Sequence, residues 1–214
     1  MTQGERNARN IDTATRYRIQ MPIMIADWRR RWGHEFAFGF VQLPNFKKRD
    51  ANAGSHTAWA VMRESMLKTL AVDNTGMAIT IDVGMAGNIH PKDKQSVGLR
   101  LAHWALADVY GKDIVASGPL AKSSQVDGEK LVLTFRHAIG LQTSDGKAVK
   151  GFAIAGADCK WHWAEAKIAG DRVTISHPDV PKPMAVRYAW GDNPSCNLVN
   201  GAGLPASPFR TDDW

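Results

Sequence analysis

The stretch Phe36–Leu43, FAFGFVQL, is a near-continuous apolar run closed by Gly33 on one side and Pro44 on the other. A strand with one wet face alternates apolar and polar residues. A run without that alternation reads as a strand buried on both faces, which requires helices to cover a parallel sheet. Gly76–Val83, GMAITIDV, is a second run of the same kind.

The segments around these runs have a helical period. Tyr17, Met21, Met24, Ile25 and Trp28 recur at threes and fours between Asn10 and Trp32, with Gly33 placed to end the helix and Pro22 expected to kink or restart it. Trp59, Met62, Met66, Leu67 and Leu70 repeat the pattern over Thr57–Leu70. A third amphipathic helix is expected from Pro91 through Val97, Leu101 and Trp104 to Tyr110, ended by Gly111. Helix, strand, helix, strand, helix implies an α/β layer fold with a mainly parallel sheet over residues 1–112.

Beyond Gly111 the texture changes. KLVLTF from Lys130, GFAIAG from Gly151, DRVTIS from Asp171 and MAVRYAW from Met184 are short strand-like runs separated by Asp-Gly, Gly-Asp and proline-bearing turns. They predict a β-sandwich-like module over residues 113–214.

The composition, 44% hydrophobic and 22% charged, is that of an ordinary globular protein. No apolar run approaches the roughly 18 residues a membrane-spanning helix needs, and Met1–Asn10 lacks a signal-peptide core, so no membrane partner is expected. The net charge of +6 is scattered apart from Arg29–Arg31 and Lys47–Arg49. These clusters read as a helix face and a loop tip, and with no nucleic-acid motif beside them no nucleic-acid partner is expected. Cys159 and Cys196 read as free or structural thiols, with a single bridge as the alternative. The histidines show no zinc-ligand spacing, so no metal is expected.

Chemistry concentrates at Asp82–Pro91, which leaves a buried strand, crosses a glycine-bearing loop and enters a helix. In open α/β sheets ligands bind beyond the carboxyl ends of the strands, and His90 stands there. A general-base histidine for ester hydrolysis needs a nucleophile beside it and usually a carboxylate behind it. Asp82 is a candidate for the latter, with a loop anchor as its alternative role. No Gly-x-Ser-x-Gly elbow and no Gly-Asp-Ser occurs in the sequence. Gln3-Gly4-Glu5-Arg6-Asn7 could present amide donors to an oxyanion or be a polar terminus. Trp161 and Trp163 alternate and so share a face, suited to stacking on a sugar or to packing.

Taken together, QGERNARN, DWRRRWG, FGFVQLPNF, NTGMAITIDVG, NIHPKDKQSVGLRLAHWAL, SGPL, GFAIAGAD and GLPASPFRTDDW resemble the sialate O-acetylesterase family, a branch of the SGNH hydrolases. The resemblance runs nearly end to end. It implies the C-terminal half of an SGNH-type three-layer α/β sandwich followed by the β-sandwich-like module. It also implies Ser-His hydrolysis of acetyl esters on sugars, an acetylated carbohydrate as partner, no cofactor and a periplasmic or secreted location.

The family's His-Pro block falls on His90-Pro91, making His90 the expected base. Its Gln-Gly-Glu block falls on Gln3, Gly4 and Glu5 with Asn7 following, which implies oxyanion or substrate contacts. Family members commonly carry an aspartate where Asn88 stands here, so Asn88 and Asp82 share the expected role behind His90. The family's Gly-Asp-Ser block lies upstream of Gln-Gly-Glu and has no counterpart in this sequence, so the chain by itself is expected to be inactive. The alternative expectation is a non-catalytic carbohydrate-binding or scaffolding protein derived from such an esterase.

Overall fold

The computed structural model describes residues 4–49 and 51–214. Two compact units emerge: one takes the chain up to Phe46 together with His56–Ser117, the other Lys47–Ser55 together with Gly118–Trp214.

In the first unit, helix α1 spans Ile11–Trp32. Asn10 caps it by accepting from the Thr13 N–H at 2.9 Å, and Gly33, at φ 74°, closes it in the left-handed conformation that glycine adopts without penalty. The helix is continuous through Pro22, so no second segment starts there. The carbonyl that loses its partner belongs to exposed Arg18, where water can replace the missing N–H. Ala14, Tyr17, Met21, Ile25 and Arg29 form the buried stripe. Helix α2, Ala58–Lys68, packs on this stripe, and its Ser65 hydroxyl donates to the Ala14 carbonyl at 2.7 Å.

Strands β1, Phe38–Val41, and β2, Thr75–Ala78, pair in parallel with Gly39 opposite Gly76. Helix α3, Lys94–Trp104, lays the buried Trp104 ring on both glycines. A Cβ on Gly39 would stand 2.6 Å from that ring, and one on Gly76 only 2.1 Å. The buried guanidinium of Arg29 donates to the carbonyls of Phe36, Asp73 and Asn74, just ahead of the two strands.

The mainly parallel sheet expected from the two apolar runs is corrected here. Among the described residues β1 and β2 form the one parallel pair, and every other strand pairing is antiparallel. At the end of the first run side chains take the backbone carbonyls that a longer ladder would use. Arg63 binds the Leu43 and Pro44 carbonyls at 2.9 and 2.8 Å, and the Thr80 hydroxyl binds the Gln42 carbonyl. Helix α3 also starts later than Pro91, at an Asp93 cap that accepts from the Ser96 N–H and hydroxyl at 2.9 and 2.6 Å.

The second unit is mixed-turn, antiparallel β-structure. Strands β3 (Leu120–Asp127), β4 (Lys130–Arg136), β8 (Glu165–Ala169) and β9 (Arg172–Ser176) form a sheet in the order β3-β4-β9-β8. A second sheet has the order β12-β10-β6-β7, with β6 Phe152–Ala155, β7 Trp161–Trp163, β10 Ala185–Tyr188 and β12 Phe209–Arg210. The pair β5 (Gln142–Thr143) and β11 (Leu198–Val199) completes it.

Alternation along β4 buries Leu131, Leu133 and Phe135, and the Phe135 ring meets Phe209 of the other sheet edge-on at 6.0 Å. Arg187 and Asp212 form a buried two-bond fork at 2.9 and 2.7 Å, with the guanidinium 4.0 Å from the Trp161 ring. No disulfide joins Cys159 and Cys196. No helix among the described residues is long and apolar enough to cross a membrane.

Candidate active site

The segments that leave β1 and β2 are tied to helix α2 and to each other. The Trp59 indole N–H donates to the Pro44 carbonyl at 2.7 Å, where Arg63 also binds. Across from it the Gly84 N–H donates to Asn45 Oδ1 at 2.7 Å. A Cβ on Gly84 would lie 1.8 Å from the Asn45 carbonyl oxygen, so only glycine lets these two segments approach. Phe46 and Met85 then form a parallel bridge.

The loop carrying His90 is held by two side chains. Asn88 Oδ1 accepts the His90 backbone N–H at 2.9 Å, a local turn of the kind asparagine makes with the residue two positions on. Asp82 is gripped in a fork by Arg100 of α3 at 2.6 and 2.7 Å, and Arg100 also donates to the Ile79 carbonyl at 2.7 Å. Both oxygens of Asp82 are therefore directed to Arg100 and the Asn88 oxygen to the backbone. Neither forms a hydrogen bond with the His90 imidazole.

His90 itself is exposed and stands at the rim of a cavity of about 510 Å³. Its walls are apolar: Trp28 and Met21 from α1, Phe38–Val41 from β1, and Val97 and Leu101 from α3, with Lys94 as the cationic member. An imidazole over an apolar recess can move a proton at one side of a bound ester while the recess excludes water from it.

Asn7 lies in a short 3₁₀ turn, Gly4–Arg9, where its amide donates to the Gln20 side chain and its carbonyl accepts from Thr13 Oγ1 at 2.6 Å. No hydrogen bond among the described residues links Asn7 to His90. Gln3 lies outside the described residues, as does the side chain of Glu5. The Arg100 fork escaped the sequence reading. Its signal was an arginine on the first turns of a helix that follows an aspartate at a strand end, a pattern too common to single out.

No family model matches the sequence. Among curated proteins, the chain is 32% identical over 233 aligned positions to the sialate O-acetylesterase of Mus musculus and 31% identical over 235 to that of Homo sapiens. Each alignment takes in 97% of this chain, which spans 42% and 44% of those relatives. Among solved structures, a carbohydrate acetylesterase from Xanthomonas citri superposes with a TM-score of 0.93 at 46% identity, over 99% of this chain and 49% of the other. The chain thus spans less than half the length of the relatives it matches.

Proposed function

We propose that the chain, similar over part of their length to sialate O-acetylesterases, supplies the histidine side of a carbohydrate O-acetylesterase site. His90 is the general base. A serine from the portion of the enzyme this chain does not contain attacks the acetyl carbonyl, and His90 takes its proton and passes it to the departing sugar oxygen. Water, deprotonated by His90, then attacks the acetyl-serine, and acetate leaves as the serine regains its proton. Gln3 and Asn7 contribute oxyanion donors in the assembled site, with Glu5 beside them.

Asp82 and Asn88 are positioning residues: one pins the loop to α3 through Arg100, the other fixes the backbone at His90. The parallel pair with its three helices is the C-terminal half of an SGNH-type α/β layer, and the second unit is its β-sandwich-like companion. The reading rests on one observation above all, the placement of His90 beside the apolar cavity at the strand ends.

The test is acetate release from acetylated sialic acid and acetylated xylo-oligosaccharides. The chain alone is compared with a fusion to the N-terminal half of the Xanthomonas citri enzyme, each with and without His90→Ala. Turnover by the fusion alone, abolished by His90→Ala, is expected. Turnover by the unfused chain, or turnover that survives His90→Ala, overturns the assignment.

A second reading, a carbohydrate-binding or scaffolding protein, draws on the engagement of Asp82 by Arg100 and of Asn88 by backbone. Without a carboxylate the imidazolium of a triad loses its stabilising partner. Sugar binding by an inactive fusion, unchanged in His90→Ala, favours this reading.

A further inference from the structure

In the second unit, His162 sits at the centre of edge strand β7 and His177 just beyond the end of β9, in the other four-stranded sheet. Their rings lie side by side with centroids 4.6 Å apart and an interplanar angle of 36°. Both Nδ1 atoms face the same oxygen, Asp179 Oδ2, each at 3.9 Å. One ligand atom from each residue lies within 4.8 Å of the others. The Asp179 side chain is 72% exposed and makes no hydrogen bond among the described residues, so it is free to swing.

The tautomer is already chosen on one side. The Asp179 backbone N–H donates to His177 Nδ1 at 3.1 Å, which requires a lone pair there and places the ring proton on Nε2. That is the form in which an imidazole ligates a metal through Nδ1. The ion would displace only this one neutral hydrogen bond. His162 makes no hydrogen bond through its ring among the described residues, so its Nδ1 is not committed elsewhere.

The geometry points to a divalent transition-metal site made by His162, His177 and Asp179, bridging the two sheets of the second unit. Two imidazoles and one carboxylate suit Zn²⁺, Co²⁺ or Ni²⁺ and leave coordination positions for water. With metal–ligand bonds of about 2.1 Å, ligands of a tetrahedral shell lie about 3.4 Å apart, so each 3.9 Å separation closes by roughly 0.5 Å. An exposed aspartate rotamer supplies that part of the closure, and the two imidazoles, whose ligand atoms lie within 4.8 Å, supply the rest by turning their rings.

The full chain is titrated with Co²⁺ and Zn²⁺ by calorimetry, and the Co²⁺ form is read by its visible absorption. Saturable binding of one ion per chain is expected, with a rise in Tm that EDTA reverses. His162→Ala and His177→Ala each weaken binding by about tenfold or more. Asp179→Asn, at an exposed position, weakens it without touching the packed rings, which guards against a variant that misfolds. Cys159→Ser leaves it unchanged. No saturable binding, binding indifferent to all three substitutions, or binding lost only in Cys159→Ser overturns the site.

Discussion

Gly39 of β1 stands directly opposite Gly76 of β2, and the two together make the flat floor on which Trp104 lies. Each glycine is required by the ring above it rather than by its own backbone angles. A methyl at Gly76 meets the indole at 2.1 Å and has nowhere to go. Gly76→Ala is expected to lower stability by about 1–3 kcal/mol through overpacking, read from urea denaturation midpoints. Trp104→Ala in the same background should cost less than in the wild-type protein, because the ring that clashed is gone.

The Arg187–Asp212 fork is sealed from solvent, with side-chain exposures of 3% and 0%. Arg187 also lies over the Trp161 ring. Removing Asp212 takes the counter-ion from the buried Arg187. Asp212→Ala is expected to destabilise the second unit by about 3–5 kcal/mol, measured by chemical denaturation.

Asp145 is held well below the ordinary carboxylate range, to about 2, first by the hydrogen bond from Lys150 and next by that from Asn197. A carboxyl whose folded value is depressed adds stability above its unfolded value of 3.8 that is lost as pH falls toward about 2. The difference in denaturation midpoint between the wild-type protein and Asp145→Asn is therefore expected to be constant above that window and to shrink through it. An unchanged difference down to the lower end would show that the two hydrogen bonds do not stabilise the charged form.

Arg100 holds Asp82 and the Ile79 carbonyl at once, so its loss frees both the strand end and the His90 loop. Arg100→Ala is expected to cost about 1–2 kcal/mol of stability, from one charge-assisted fork and one backbone acceptor. In the esterase fusion the same substitution should lower kcat more than it raises KM. Asn88→Asp keeps the oxygen that accepts the His90 N–H, and should retain more activity than Asn88→Ala.

How much of this was readable beforehand depends on what holds each segment. The helices over Tyr17 to Trp28 and Trp59 to Met66 were legible because their buried faces repeat at the helical period. The runs around Val41 and Ile79 were legible as strands, but their lengths were not. Phe36, Gln42 and Leu43 are as buried or apolar as a sheet interior, yet their carbonyls bond Arg29, Thr80 and Arg63. Hydropathy does not record which partner a backbone group takes. That is also why the sheet was expected to be mainly parallel.

His90 could be found as a loop residue between a strand end and a helix. The recess beneath it could not, since it depends on Trp28, Val97 and Leu101 converging from two helices. His162 and His177 come together from two different sheets, and such a pairing leaves no spacing in the sequence.

The guanidinium of Arg29 ties the threshold of β1 to that of β2, with carbonyls of Phe36 and Asn74 on one side chain. The Phe38 amide, in turn, donates to Asn74. Neither strand can fray at its amino end without loosening the other, although a helix and two loops separate them along the chain. In hydrogen exchange the amides of Phe38 and Phe40 should open with those of the facing strand as one cooperative step, and Arg29→Lys should uncouple them.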